Sequence, residues 1–221
     1  MATPQAAALR RTREHDIVVA TRRLFDERGM LDAPIEEIAR SVGIARGLIY
    51  RHFSSKEELF VLTVTHYLDE LAANLDQAYA GDEPPVVRLE RGMEAYARFC
   101  QRYPAFLDSA LSLMHRPARE LQEIVSESVY LRLGQGIARC VDHLERVLDA
   151  GRKDGSIAVE DPSYMANVLW TQVLGVMHLA RIRVGVRQFA PGIPELFAIE
   201  PERVVRTCVD SVLATVGAQR R

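Results

Sequence analysis

Arg46, Gly47, Tyr50, Arg51 and Lys56 fall at intervals suited to contact with a polyanion. At about 100° per residue along a helix, Ala45, Ile49 and Phe53 share one face, and Gly47, Tyr50 and Arg51 point the other way. A guanidinium at 51 can fork onto a guanine edge or a phosphate, and a phenol at 50 can donate to a phosphate. The missing side chain at 47 lets a backbone approach closely. Arg46 and His52 flank that face. Lys56 sits in the first turn of a further helix, where the helix dipole favours acidic residues, so its charge makes more sense facing a phosphate. The free amides of that turn are a second anion site.

Presenting these groups together requires two short helices around a turn, then a third helix. Ile38, Val42, Ile44 and Ile49 fall where such a helix-turn-helix needs apolar residues, Ala39 supplies a small crossing contact, and Gly43 allows positive φ in the turn. Ser55 with Glu58 fits the capping box, which opens the third helix near 55. Ahead of them, Ile17, Ala20, Leu24 and Phe25 predict a helix over 12–28 that stops at Gly29. Pro34 falls at the start of the second helix. Arg10, Arg11, Arg13, Arg22 and Arg23 outweigh Glu14 and Asp16, giving a basic patch beside the reading helix.

The run Ile38-Ala39, Gly43-Ile44, Gly47, Tyr50, His52-Phe53 and Ser55-Lys56-Glu57-Glu58-Leu59 resembles the DNA-binding segment of TetR/AcrR-type bacterial transcriptional regulators. The likeness is specific over about residues 12–65; beyond it only length and the all-helical pattern agree. Ala45 and Leu48 depart from the Ser and Thr often found in the family; Leu48 instead suits contact with a thymine methyl, so the operator sequence does not carry over by analogy. The resemblance implies a homodimeric regulator, most often a repressor, that binds a double-stranded DNA operator and is released by a small-molecule effector held among C-terminal helices. It also implies pairing of the last two helices, near 162–184 and 201–216, with a second copy. Met165, Leu169, Val173, Val176 and Ala180 form one apolar stripe there, and Val205, Cys208, Val209, Val212 and Val216 another, each suited either to such pairing or to an intrachain core. Activation, or regulation without any effector, is the alternative.

Effector candidates are large apolar or amphipathic side chains in the middle of the C-terminal region: Tyr96, Phe99, Phe106, Met114, Trp170, Leu174 and His178. Core packing is the competing role for each. Arg181, Arg183 and Arg187 suit a helix C-terminus or an effector's carboxylate or phosphate.

The remaining pattern is all-α, nine helices in all. A long helix over 55–79 carries the stripe Phe60, Val64, Tyr67, Leu71, Leu75 and Ala78, and further helices fall near 85–102, 104–115, 117–150, 162–184 and 201–216. Asp161 is a good N-cap before Pro162, and Gly134 and Gly136 are possible kink points. Residues 185–200, with Pro191-Gly192 and Pro194, read as a long loop. The expected division is a helix-turn-helix domain over 1–54, a connecting helix over 55–80, and an effector-binding and dimerisation domain over 81–221.

Of 221 residues, 48% are apolar, enough for a substantial core. The net charge of −2 hides a mild division, +1 over residues 1–60 and −3 over 61–221. Neither a membrane-length apolar run nor a signal-peptide core appears, so a cytoplasmic location and no membrane partner are expected. Cys100, Cys140 and Cys208 are odd in number and lie in apolar stripes, the pattern of buried thiols. Scattered histidines, with no Gly-rich phosphate loop or HExxH, give no catalytic residue, no metal site and no cofactor.

Overall fold

The computed structural model describes residues 4–29 and 33–218. Among these are ten α-helices and one antiparallel β-hairpin. The elements are α1 (Pro4–Arg28), α2 (Ile35–Ser41), α3 (Arg46–His52), α4 (Lys56–Ala78), α5 (Pro85–Arg102), α6 (Pro104–Met114), α7 (Ala118–Ile124), α8 (Glu127–Asp154), α9 (Pro162–Ile182), β1 (Val184–Ala190), β2 (Ile193–Ala198) and α10 (Pro201–Thr215). Packing divides the chain into two compact units, residues 1–69 with 108–137 and residues 70–107 with 138–221.

In the first unit, α2 packs against α1 and α3. Ile17, Leu24 and Phe25 of α1, Ile38 and Ala39 of α2, and Ile49 and Phe53 are buried, as their helical spacing requires. In the second unit, α5, α9 and α10 pack on one another. The buried stripe of α5 runs through Val86, Leu89, Met93, Tyr96, Ala97 and Cys100. Asp161 caps α9 by accepting the Tyr164 N–H at 3.0 Å, with Pro162 in the first turn, where a missing amide costs least.

Two expectations are corrected. The predicted helix over 117–150 is two helices, because Val125 is extended (φ −116°, ψ 157°) and α8 restarts at Glu127. That break buries both Val125 and Val129 and frees the Ser126 side chain. With it the helix count among the described residues becomes ten rather than nine. The stretch 185–200 is largely the hairpin, closed by Pro191-Gly192 with Gly192 at φ +79°. Phe189 sits in an irregular step between Gln188 and Ala190, which interrupts the alternation that would have marked a strand. Of the two uses open to the apolar stripes near 162–184 and 201–216, most of their residues take the intrachain one and lie inside the unit's own core. Leu169, Val173, Ala180, Val205, Cys208, Val209, Val212 and Val216 are all buried within the chain. What α9 leaves outward is a different stripe, with Tyr164, Thr171, Gly175, His178 and Ile182 exposed.

Candidate nucleic-acid interface

The turn after α2 is a Schellman closure. Gly43 stands at φ +67°, its N–H donates to the Arg40 carbonyl at 3.2 Å, and the Ile44 N–H reaches back to the Ala39 carbonyl at 3.0 Å. A side chain at 43 would force an L residue into the left-handed region, so the glycine sets the angle at which α3 leaves α2. Ala45 opens α3 with no side-chain cap, and it is exposed rather than buried with Ile49 and Phe53.

Around α3, the buried Ile49 and Phe53 anchor one side. Arg46, Gly47, Tyr50 and Arg51 are exposed on the other, and Leu48 is half-buried at the edge. The Arg46 guanidinium pairs with Glu36 at 2.7 Å and lies 5.8 Å from the Tyr50 ring centroid, which braces both side chains without covering them. His52 turns inward instead. Its Nδ1 is 3.5 Å from the Glu14 carboxylate of α1, which makes it a contact between helices rather than part of the open face.

Lys56 is exposed in the first turn of α4. The cap beneath it is a variant of the expected box. Ser55 Oγ accepts the Glu58 N–H at 3.0 Å, while the Glu58 carboxylate accepts the Ser54 N–H at 2.5 Å, one residue earlier than in the reciprocal pattern. Glu58 is buried and its second oxygen accepts from Ser126 Oγ at 2.5 Å. Burial opposes its charge, but the hydrogen bonds from Ser126 and Ser54 together outweigh this and hold the carboxyl below its usual range. Sequence reasoning missed this tie, because a partner 68 residues away leaves no local signal.

The basic patch is reduced by one member. Arg22 is buried, with its guanidinium 4.2 Å from the Tyr67 ring centroid and 3.0 Å from His66 Nδ1. Tyr67 donates to Asp26 at 2.6 Å; burial and that carboxylate push the phenol far above its ordinary value. Arg22 therefore holds α1 to α4. Arg11, Arg13 and Arg23 are exposed, and Arg10 pairs with Glu14 at 2.8 Å.

Comparison with known proteins fits this geometry. Residues 17–62 match the sequence model described as bacterial regulatory proteins, tetR family. The N-terminal segment is that of the tetR family. The transcriptional regulator HbdR of Aromatoleum sp. (strain CIB) is 34% identical over 84 residues, 38% of this chain and 37% of HbdR. The chain thus spans well under half the length of that curated relative. A tetR-family regulatory protein from Rhodococcus RHA1 shares the fold at a TM-score of 0.67 and 17% identity, over 94% of this chain and 98% of that one. RolR, solved in complex with resorcinol, superposes at a TM-score of 0.68 and 16% identity, over 96% of this chain and 91% of RolR. These structural likenesses establish the fold.

Beyond the tetR-family segment, the seven effector candidates separate. Tyr96 stacks on Trp170 with ring centroids 4.4 Å apart and planes 15° apart, and Phe99 meets Phe106 edge-to-face at 5.2 Å. Tyr96, Phe99, Phe106 and Leu174 are buried in the second unit and Trp170 is half-buried. Met114 is exposed and belongs to the other unit, and His178 is exposed on α9, so neither joins this cluster. The Tyr96 hydroxyl is buried with no hydrogen-bond partner. Desolvation, followed by the thiols of Cys100, Cys140 and Cys208, drives its proton affinity well up, so the phenol is a neutral donor. All three cysteines are buried. Arg187 pairs with Glu195 at 2.5 Å, away from the aromatic cluster's residues in sequence and on the hairpin. Among the described residues no cluster of His, Cys, Asp or Glu is arranged to hold a metal, and no helix is long and apolar enough to cross a membrane.

Proposed function

We propose that this chain is a DNA-binding transcriptional regulator whose α3 enters the major groove of an operator. The observation that carries the reading is the outward face of α3, with Arg46, Gly47, Tyr50 and Arg51 exposed opposite the buried Ile49 and Phe53 and set by the left-handed Gly43. Arg51 reads a base edge or grips a phosphate, Tyr50 and Lys56 hold phosphates, Leu48 meets a base methyl, and Gly47 admits the backbone. His52 acts indirectly, by positioning α3 on α1.

The regulator works as a homodimer, since paired reading helices one helical turn apart match a two-fold operator. The exposed stripe of α9 supports that pairing through α9 and α10, and a Cβ added at Gly175 would meet nothing within 4 Å, which leaves room for a close helix neighbour. A small hydrophobic or amphipathic effector releases it from DNA, which makes it a repressor. The orphaned Tyr96 hydroxyl beside Trp170 supports this, because a buried donor without an acceptor awaits a partner. RolR, of similar fold, holds resorcinol, an aromatic with hydroxyl groups. A second reading, regulation without an effector, is favoured by the close burial of Phe99, Phe106 and Leu174 around that site. No catalytic step is assigned to either.

Capture of genomic fragments by the purified chain, followed by mobility shift on the enriched sequence, tests the central claim. A retained fragment with two related half-sites is expected, and binding that shows no sequence preference would sink the reading. Phenolic compounds that elute the fragment from wild type but not from Tyr96→Phe would separate the two readings of the second unit.

A further inference from the structure

The hairpin has two unlike faces. On one, Gly185 pairs with Phe197 and Arg187 with Glu195. A Cβ at Gly185 would fall 2.3 Å from Phe197 Cζ, so the ring covers the glycine, and the Arg187 guanidinium sits 5.8 Å from the same ring while paired to Glu195. That face is satisfied by its own strands. The other carries Val184 and Val186 opposite Ala198 and Leu196, with Gln188 opposite Pro194, and it holds no charged side chain. Val186 is 67% exposed and Leu196 69%, and at the tip Phe189 is 73% exposed.

A two-stranded ribbon with an uncovered apolar face is marginal in water and invites association. Seven residues at about 3.3 Å each, across a ribbon about 10 Å wide, offer on the order of 200 Å². A stable interface takes about 800 Å² from each partner. The hairpin therefore cannot hold a partner alone and must extend a larger contact. The chain supplies one: the left-handed Arg183 joins β1 directly to the last turn of α9, where Leu179 and Ile182 are also exposed. The chain thus passes from the exposed end of α9 straight into the hairpin, without an intervening loop.

We infer that the hairpin Val184–Ala198 is a dimerisation arm whose uncharged face, centred on Val186 and Leu196, lies against a second copy of this chain. This rests on the homodimer reading above and adds to it a second contact beyond the helices. The absence of charge on that face suits a self-complementary two-fold contact and disfavours a nucleic acid or an acidic protein.

Sedimentation of the full chain over a range of concentrations, wild type against Val186→Thr/Leu196→Thr, tests it. Threonine keeps the β preference of the strands and removes apolar surface. The expected result is a dimer dissociation constant raised at least tenfold with an unchanged circular dichroism spectrum. A constant within twofold of wild type overturns the arm, and if the same variant then loses binding to anionic phospholipid vesicles, the face belongs to a membrane surface instead. Thr171→Arg, on the exposed stripe of α9, separates the two levels. A wild type that is monomeric throughout sinks the dimer reading and the arm together, whereas a dimer broken by Thr171→Arg but untouched by the double threonine sinks the arm alone. Hydrogen exchange on wild type gives a check that no folding defect can blur: amides of 184–198 gain protection as the chain dimerises, and equal exchange in monomer and dimer overturns the arm.

Discussion

Arg51 and Lys56 are both exposed cations near the reading helix, yet they occupy different chemical positions. Arg51 projects from α3 and Lys56 from the first turn of α4; in the proposed complex the first would meet a base edge, where a bidentate contact distinguishes guanine, and the second the phosphate backbone. Arg51→Ala is expected to cost about 1–3 kcal/mol on the best operator and to narrow the gap between it and random DNA. Lys56→Ala should weaken all sequences alike and reduce the slope of log affinity against log salt by about one. Titrations at several salt concentrations on both DNAs check the pair; identical salt slopes for Lys56→Ala and wild type would remove that residue from the phosphate contacts. Tyr96 gives a third test at this scale. Its buried hydroxyl has no partner, so Tyr96→Phe relieves a desolvated donor and should raise the stability of the free protein by about 1–3 kcal/mol, seen as a higher melting temperature. A lower melting temperature would mean that the hydroxyl is satisfied in solution.

Among the elements, the junction between α7 and α8 has the clearest consequence. Ser126 leaves the helix so that its hydroxyl reaches Glu58 in the first turn of α4, within one compact unit. Glu58's folded pKa is lowered relative to the unfolded chain. Its stabilisation is therefore fully present above the unfolded value of about 4.3 and is lost as pH falls through the folded one. Ser126→Ala removes a hydrogen bond to a charged group, with an expected loss of about 1.5–3 kcal/mol near neutral pH, and shifts the acid unfolding midpoint upward. Chemical denaturation between pH 3 and 7 measures both, and a variant with the wild-type acid profile would show that Ser126 does not hold the carboxylate. The sequence carried a signal for this break that helical spacing masked. Ile124-Val125 is a β-branched pair and Ser126-Glu127 reads as a cap followed by an acidic first turn, but the apolar positions on either side fit one continuous helix. The hairpin was hidden differently, since its alternating residues face outward and Phe189 falls in an irregular step.

At the scale of the whole molecule, the proposed regulator couples two binding equilibria. Residues 56–69 of α4 count with the unit that carries the reading helix, and residues 70–78 with the unit that carries Tyr96 and Trp170. Linkage requires that an effector which lowers operator affinity by some factor bind the operator complex less tightly by the same factor. Once a compound eluting the operator is in hand, calorimetry of that compound with the free protein and with the DNA complex should give equal ratios. An effector with the same affinity for both states could not be the releasing ligand.

The sequence alone determined the reading head, because its signals are local. Gly43, the apolar spacing of Ile38, Ile44 and Ile49, and the Ser55–Glu58 cap all act within a few residues, and each stands where the spacing placed it. Only the tertiary structure decided what depends on distant partners. It turned Arg22 and His52 inward, tied Glu58 to Ser126, and gave the apolar stripes of α9 and α10 to the chain's own core. Helical periodicity says that a face is apolar and cannot say which surface will cover it, since burial is equally favourable against any apolar partner.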